Sequence, residues 1–98
     1  MELIIKKTIG KTVYPFTFTG STLHEVVMES QKLSFPDVHT CGICGKDDLY
    51  LSAHVAEGFK YTEIRCNDCR AELTFGVRKD NPEVSYLRRD EKSGKYAW

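Results

Sequence analysis

The sequence predicts an α+β fold, an N-terminal ββα unit packed on a C-terminal antiparallel ribbon, and three observations predict it. Apolar residues alternate on both sides of Gly10-Lys11, a helix-start signature stands at Thr22 and Glu25, and two Cys-x-x-Cys pairs bracket a second stretch of alternating residues. The expected division is a ββα unit over 1–35 and a ribbon with a C-terminal hairpin and tail over 36–98, together one compact domain.

The first element is a hairpin. Leu3 to Ile9 and Thr12 to Thr19 flank Gly10-Lys11, a glycine-first pair suited to a type II′ turn. A two-residue loop opposes Ile5 to Phe16 and Leu3 to Phe18, on one face with Lys7 and Tyr14. Ile4, Lys6, Thr8, Val13, Pro15 and Thr17 then form the more polar face. Pro15 has no N–H to give a ladder, so its stretch is expected to be an edge or a bulge.

A helix follows. Thr22 and Glu25 make a capping box, with Ser21 as a competing cap. Leu23, Val26 and Val27 form a stripe that would cover the hairpin, and Phe35-Pro36 would end the helix because proline disfavours helical geometry in the preceding residue. Beyond Cys41 the chain alternates again at Leu49 to Val55, Phe59 to Arg65 and Ala71 to Val77, with a weaker strand at Val84 to Arg88. Glu57-Gly58 and Asp80-Asn81-Pro82 are the turns.

Composition narrows the function classes. Hydrophobic residues at 41% exclude a disordered chain, and no apolar run is long enough to cross a bilayer. Met1 to Lys7 lacks the apolar stretch of a signal peptide, so we expect a soluble, cytoplasmic protein. Lys and Arg number 14 against 14 Asp and Glu. A strongly basic nucleic-acid binder does not look like this, so any polyanion contact must use a local patch.

Cys41-Gly-Ile-Cys44-Gly45 and Cys66-Asn-Asp-Cys69-Arg70 leave 21 residues between Cys44 and Cys66, enough for one hairpin to bring the second pair beside the first. Two residues between cysteines let a tight turn aim both sulfurs at one ion, and Gly42 and Gly45 are expected to supply the backbone freedom for it. Four thiolates from Cys41, Cys44, Cys66 and Cys69 close a tetrahedron, as in a structural Zn²⁺ site. A disulfide pair, unligated thiols and a rubredoxin-like iron site are the other readings, and the spacing and reducing compartment favour one Zn²⁺.

Residues Thr40 to Val77 resemble a zinc ribbon, in which two such knuckles cap a small antiparallel sheet. The second knuckle departs from that pattern, with Arg70 where glycine is common. The wider layout is similar to small zinc-ribbon proteins of bacteriophage replication and recombination modules, carried by Cys66-Asn-Asp-Cys69, Phe75-Gly-Val-Arg-Lys-Asp80, Arg88-Arg-Asp90 and Trp98. That resemblance implies handling of single-stranded DNA in a host cytoplasm.

Candidate contacts for such a strand are Phe59 and Tyr61 as stacking rings with Lys60 or Arg65 holding phosphate, and a second patch of Tyr86, Arg88, Arg89, Arg78 and Lys79. The same rings could instead fill out a small sheet, and the same charges could guard an edge strand. His39 and His54 read as surface or supporting residues, because four thiolates already fill a metal shell; His24 reads as solvent-facing. Tyr96 and Trp98 are expected to fold back onto the core. No nucleophile, phosphate loop or open metal position suggests catalysis, so the chain is expected not to be an enzyme. The alternative function is a protein-binding adaptor or inhibitor, and a third reading is self-assembly through the hairpin edge.

Overall fold

The computed structural model describes residues 1–98 and contains six strands and one helix. Strands β1 (Glu2–Ile9) and β2 (Thr12–Thr19) form one antiparallel hairpin. Helix α1 spans Leu23–Ser30, and strands β3 (Leu49–Ala56), β4 (Phe59–Cys66), β5 (Glu72–Val77) and β6 (Ser85–Leu87) form a second antiparallel sheet in sequential order. This is the α+β arrangement read from the sequence.

The hairpin register is the one the two-residue turn dictates: Ile5 opposes Phe16, Leu3 opposes Phe18 and Lys7 opposes Tyr14. Pro15 makes no bulge and pairs with Lys6 in an unbroken ladder. The reason lies in the alternation of antiparallel pairs. Thr8 points its N–H to the Asp37 carboxylate and its C=O to the Val38 N–H, both away from β2. Lys6 and Pro15, two pairs further along and so of the same kind as Thr8 and Val13, therefore need no N–H between them.

Thr22 caps α1, its hydroxyl accepting from the Glu25 N–H at 3.2 Å. The Glu25 carboxylate reaches back to the Ser21 N–H at 2.7 Å, one residue earlier than a standard capping box. The helix stops at Ser30 rather than running to Phe35. Lys32 and Leu33 bond back to Glu29 and Ser30 in a tighter turn, which redirects the chain so that Ser34 and Lys32 pair with Ser85. Only Val26 of the expected stripe is buried; Leu23 remains 65% exposed. The short helix reaches the hairpin with one anchor.

The core lies where the two sheets and the cysteine loops meet. Ile9 from β1, Phe35 and Val38 from the connector, and Cys41, Leu49, Ile64, Cys66, Leu73 and Leu87 form one buried cluster. Phe35 meets Phe75 edge-on at 4.9 Å between ring centres, and the Lys7 ammonium lies over the Phe35 ring while donating to the Phe35 carbonyl. Gly10 joins the halves: it takes φ +61, and a Cβ there would collide with the Asp47 carbonyl and Leu49.

Thirteen of the 98 residues are buried and the accessible surface is 6914 Å², against about 5700 Å² expected for a compact chain of this mass. The excess comes from projecting two-stranded arms, and the radius of gyration of 14.6 Å likewise exceeds the ~12.6 Å of a compact chain. So small a core needs a staple.

Candidate metal centre and sheet face

A candidate staple lies at the cysteine loops. The four sulfurs of Cys41, Cys44, Cys66 and Cys69 lie within 4.8 Å of one another. Cys41 and Cys69 are 3.6 Å apart, as are Cys44 and Cys66. Disulfide sulfurs sit at ~2.05 Å, whereas four thiolates ~2.3 Å from a central ion are ~3.8 Å apart along each tetrahedron edge. The residues fit a tetrahedral cation, and the set could hold one metal ion.

The two knuckles are built alike. The Gly45 N–H bonds the Cys41 carbonyl at 2.9 Å and the Arg70 N–H bonds the Cys66 carbonyl at 3.0 Å. Likewise the Cys41 N–H reaches Lys46 and the Cys66 N–H reaches Ala71. Gly45 takes φ +74 and Arg70 takes φ +63. The backbone of the second knuckle is therefore not rotated away from the first; Arg70 accepts the left-handed conformation that glycine occupies in its counterpart. Gly42, by contrast, is not left-handed, and its lack of a side chain serves another purpose: the Trp98 indole lies on it. Asn67 bonds Asp48 through both backbone and side chain, tying the second knuckle to the strand entering from the first.

The thiols respond to one another. Burial pushes the Cys41 thiol up, but the N–H groups of Cys44 and Ile43 and the neighbouring sulfurs bring it down to about 7. The Ala71 N–H favours a Cys69 thiolate, yet burial and the three other sulfurs push that thiol up to about 12. For Cys44, the Lys46 N–H favours the thiolate, but burial and the sulfurs of Cys66 and Cys41 outweigh it and the thiol is raised. One thiolate is favoured in this cluster, and further ones are disfavoured by burial and by the neighbouring sulfurs.

The nucleic-acid candidates divide between surfaces. Phe59, Tyr61, Arg65, Tyr86 and Arg88 share the solvent face of the four-stranded sheet, since Tyr61 opposes His54, Glu63 opposes Thr74 and Tyr86 opposes Gly76. The other face carries Leu49, Ile64, Leu73 and Leu87 into the core. Lys60 lies on that opposite side, paired with Val55. Arg78 is bound to Asp80, whose carboxyl it holds below the usual range, and Lys79 is exposed beside it in the β5–β6 turn. Arg89 stacks on Tyr96 at 4.4 Å and donates to the Gly94 carbonyl.

Sequence reasoning missed the centre of this face. Glu63 is 2% exposed, and one of its oxygens receives His54 Nδ1 at 3.0 Å and Arg65 Nε and Nη2 at 2.9 Å each. Arg65 also reaches Glu72 at 3.3 Å, and the His54 ring stacks on Tyr61 at 5.1 Å. The predicted Glu57-Gly58 turn already sets His54 diagonal to Glu63, so the pairing register held the available signal. His54, Tyr61, Glu63, Glu72, Thr74 and Arg88 line an open cleft of about 410 Å³.

The C-terminal segment folds back as expected. Asp90 bonds Lys95 and Ala97 bonds Arg88, which carries Tyr96 and Trp98 against the core cluster. No helix is long and apolar enough to cross a membrane. No protein-family model, curated protein or solved structure matches this chain.

Proposed function

We propose that this chain is a small, non-enzymatic binding protein that uses one structural Zn²⁺ to hold its sheet and takes single-stranded nucleic acid on the sheet's solvent face. The observation that supports the reading is that Phe59, Tyr61, Tyr86 and Arg88 share one solvent-exposed sheet face, where Tyr61 and Arg88 line an open cleft. Rings that are 65% exposed at Phe59 and 39% exposed at Tyr61 and Tyr86 contribute little to the core and are available to stack on bases. Zinc is favoured because four thiolates in a closed tetrahedron suit it and leave no open coordination position. Such an ion would be held by Cys41, Cys44, Cys66 and Cys69 and would supply structure only.

Fluorescence anisotropy with labelled single- and double-stranded DNA and RNA at two salt concentrations tests the proposal. Preferential binding of single strands supports it; absence of binding to every oligonucleotide at low salt removes it.

A second reading, a protein-binding adaptor, is favoured by one feature. Glu63 and Glu72 offset Arg65, so the face has little net positive charge. Nuclease-insensitive capture of a single stoichiometric protein, together with failure of the anisotropy experiment, would select it.

A further inference from the structure

The open edge of β1 presents a run of unpaired backbone groups. Thr8 directs its N–H and C=O away from β2, to Asp37 and Val38. Antiparallel alternation sends the N–H and C=O groups of Lys6, Ile4 and Glu2 the same way, and no backbone hydrogen bond meets them there. The opposite edge of the hairpin presents Val13, Pro15, Thr17 and Thr19, and Pro15 interrupts it by lacking an N–H. On β3 the Leu51 N–H is already taken by the Tyr14 hydroxyl. The outer edge of β3 also leaves Ala53 and Val55 unpaired, but β1 keeps a run of three residues with unspent ladder groups beside exposed apolar side chains, Ile4 at 58% and Val13 at 51% on the same face.

We infer that β1 pairs with β1 of a second copy of this chain, antiparallel, with Ile4 on the two-fold axis. The argument is self-complementarity. With Ile4 facing Ile4, Glu2 of each copy faces Lys6 of the other, so both charges on this edge meet opposite charges twice over. Neither Glu2 nor Lys6 has an ion-pair partner within its own chain. The same register sets the outward-facing groups of residues 2, 4 and 6 against one another, which forms about six backbone hydrogen bonds and one continuous four-stranded sheet. A shift of two residues would face Lys6 with Ile4 and lose both ion pairs. The register is thus specified by charge as well as by hydrogen bonding.

Sedimentation velocity on the full chain tests this, using the wild type, Glu2→Lys, Lys6→Glu, the double exchange, and an equimolar mixture of the two single variants. The wild type is expected to show a mass about twice 11.2 kDa as concentration rises from about 1 µM to about 1 mM. Each single variant faces like charges and should dissociate at least ~tenfold more readily. The mixture and the double exchange should recover the wild-type mass, which also shows that the variants fold. A wild type that stays monomeric across the range overturns the inference and leaves the edge to a strand from a different chain. Single variants that associate as tightly as wild type overturn it too.

Discussion

The Trp98 indole lies directly over Gly42, so close that a Cβ on Gly42 would fall 2.6 Å from the indole Nε1. Trp98 thereby covers the first cysteine loop, and the only tryptophan sits beside the four-cysteine cluster. Gly42→Ala should expel the ring and cost about 1–3 kcal/mol of stability. The emission of Trp98 should shift to the red both in that variant and when a strong chelator strips the wild type. Unchanged emission on metal removal would mean that the ring does not depend on the knuckle.

Metal should be needed for folding. Only thirteen residues are buried, so the binding free energy of a four-thiolate site, on the order of 10 kcal/mol, outweighs what the core alone supplies. Elemental analysis should find one metal ion per chain, and Cys41→Ser or Cys66→Ser should lose it together with native circular dichroism.

Metal affinity should rise with pH. Bound thiolates carry no protons, while in the metal-free protein Cys44 is raised and Cys69 is pushed up to about 12, so uptake releases protons. Proton release makes binding tighter as pH increases. Cys41, near 7, contributes little of that release at pH 8. Calorimetry in buffers of different ionisation enthalpy counts the protons, and metal binding that releases none would contradict the thiol assignments.

Arg70 holds the left-handed conformation that costs a side-chain-bearing residue about 1–2 kcal/mol. Arg70→Gly should therefore stabilise the metal-bound protein by about 1 kcal/mol, after the greater unfolded-state freedom of glycine is offset. Gly45→Ala should move stability the opposite way by a similar amount. Denaturant titrations of the two variants read both signs.

On the sheet face, Phe59→Ala, Tyr61→Ala or Tyr86→Ala should each weaken oligonucleotide binding by about 1–3 kcal/mol, whereas Lys60→Ala, on the far side, should change it little. Arg65 is committed to Glu63 and Glu72, which leaves Arg88 as the free cation of the face. The salt slope should accordingly be shallow, roughly −0.7 per phosphate contact, rather than the steep dependence of a basic groove. Arg88→Ala should flatten it further.

Much of this molecule follows from short-range pattern. The Gly10-Lys11 spacing determines which residues oppose one another in β1 and β2, the Thr22 hydroxyl determines where α1 starts, and two residues between cysteines shape each knuckle. These depend on residues close in sequence, whose geometry sterics and local hydrogen bonds decide. What required the tertiary structure is where distant segments close on each other. Helix α1 stops at Ser30 because the chain must turn to pair Lys32 and Ser34 with Ser85. Glu63 is buried on the solvent side because His54 and Arg65 converge on it from neighbouring positions of the sheet. Gly42 is small because Trp98, 56 residues later, needs its space. Contacts across such separations leave no period in the sequence, since the groups that meet are chosen by packing.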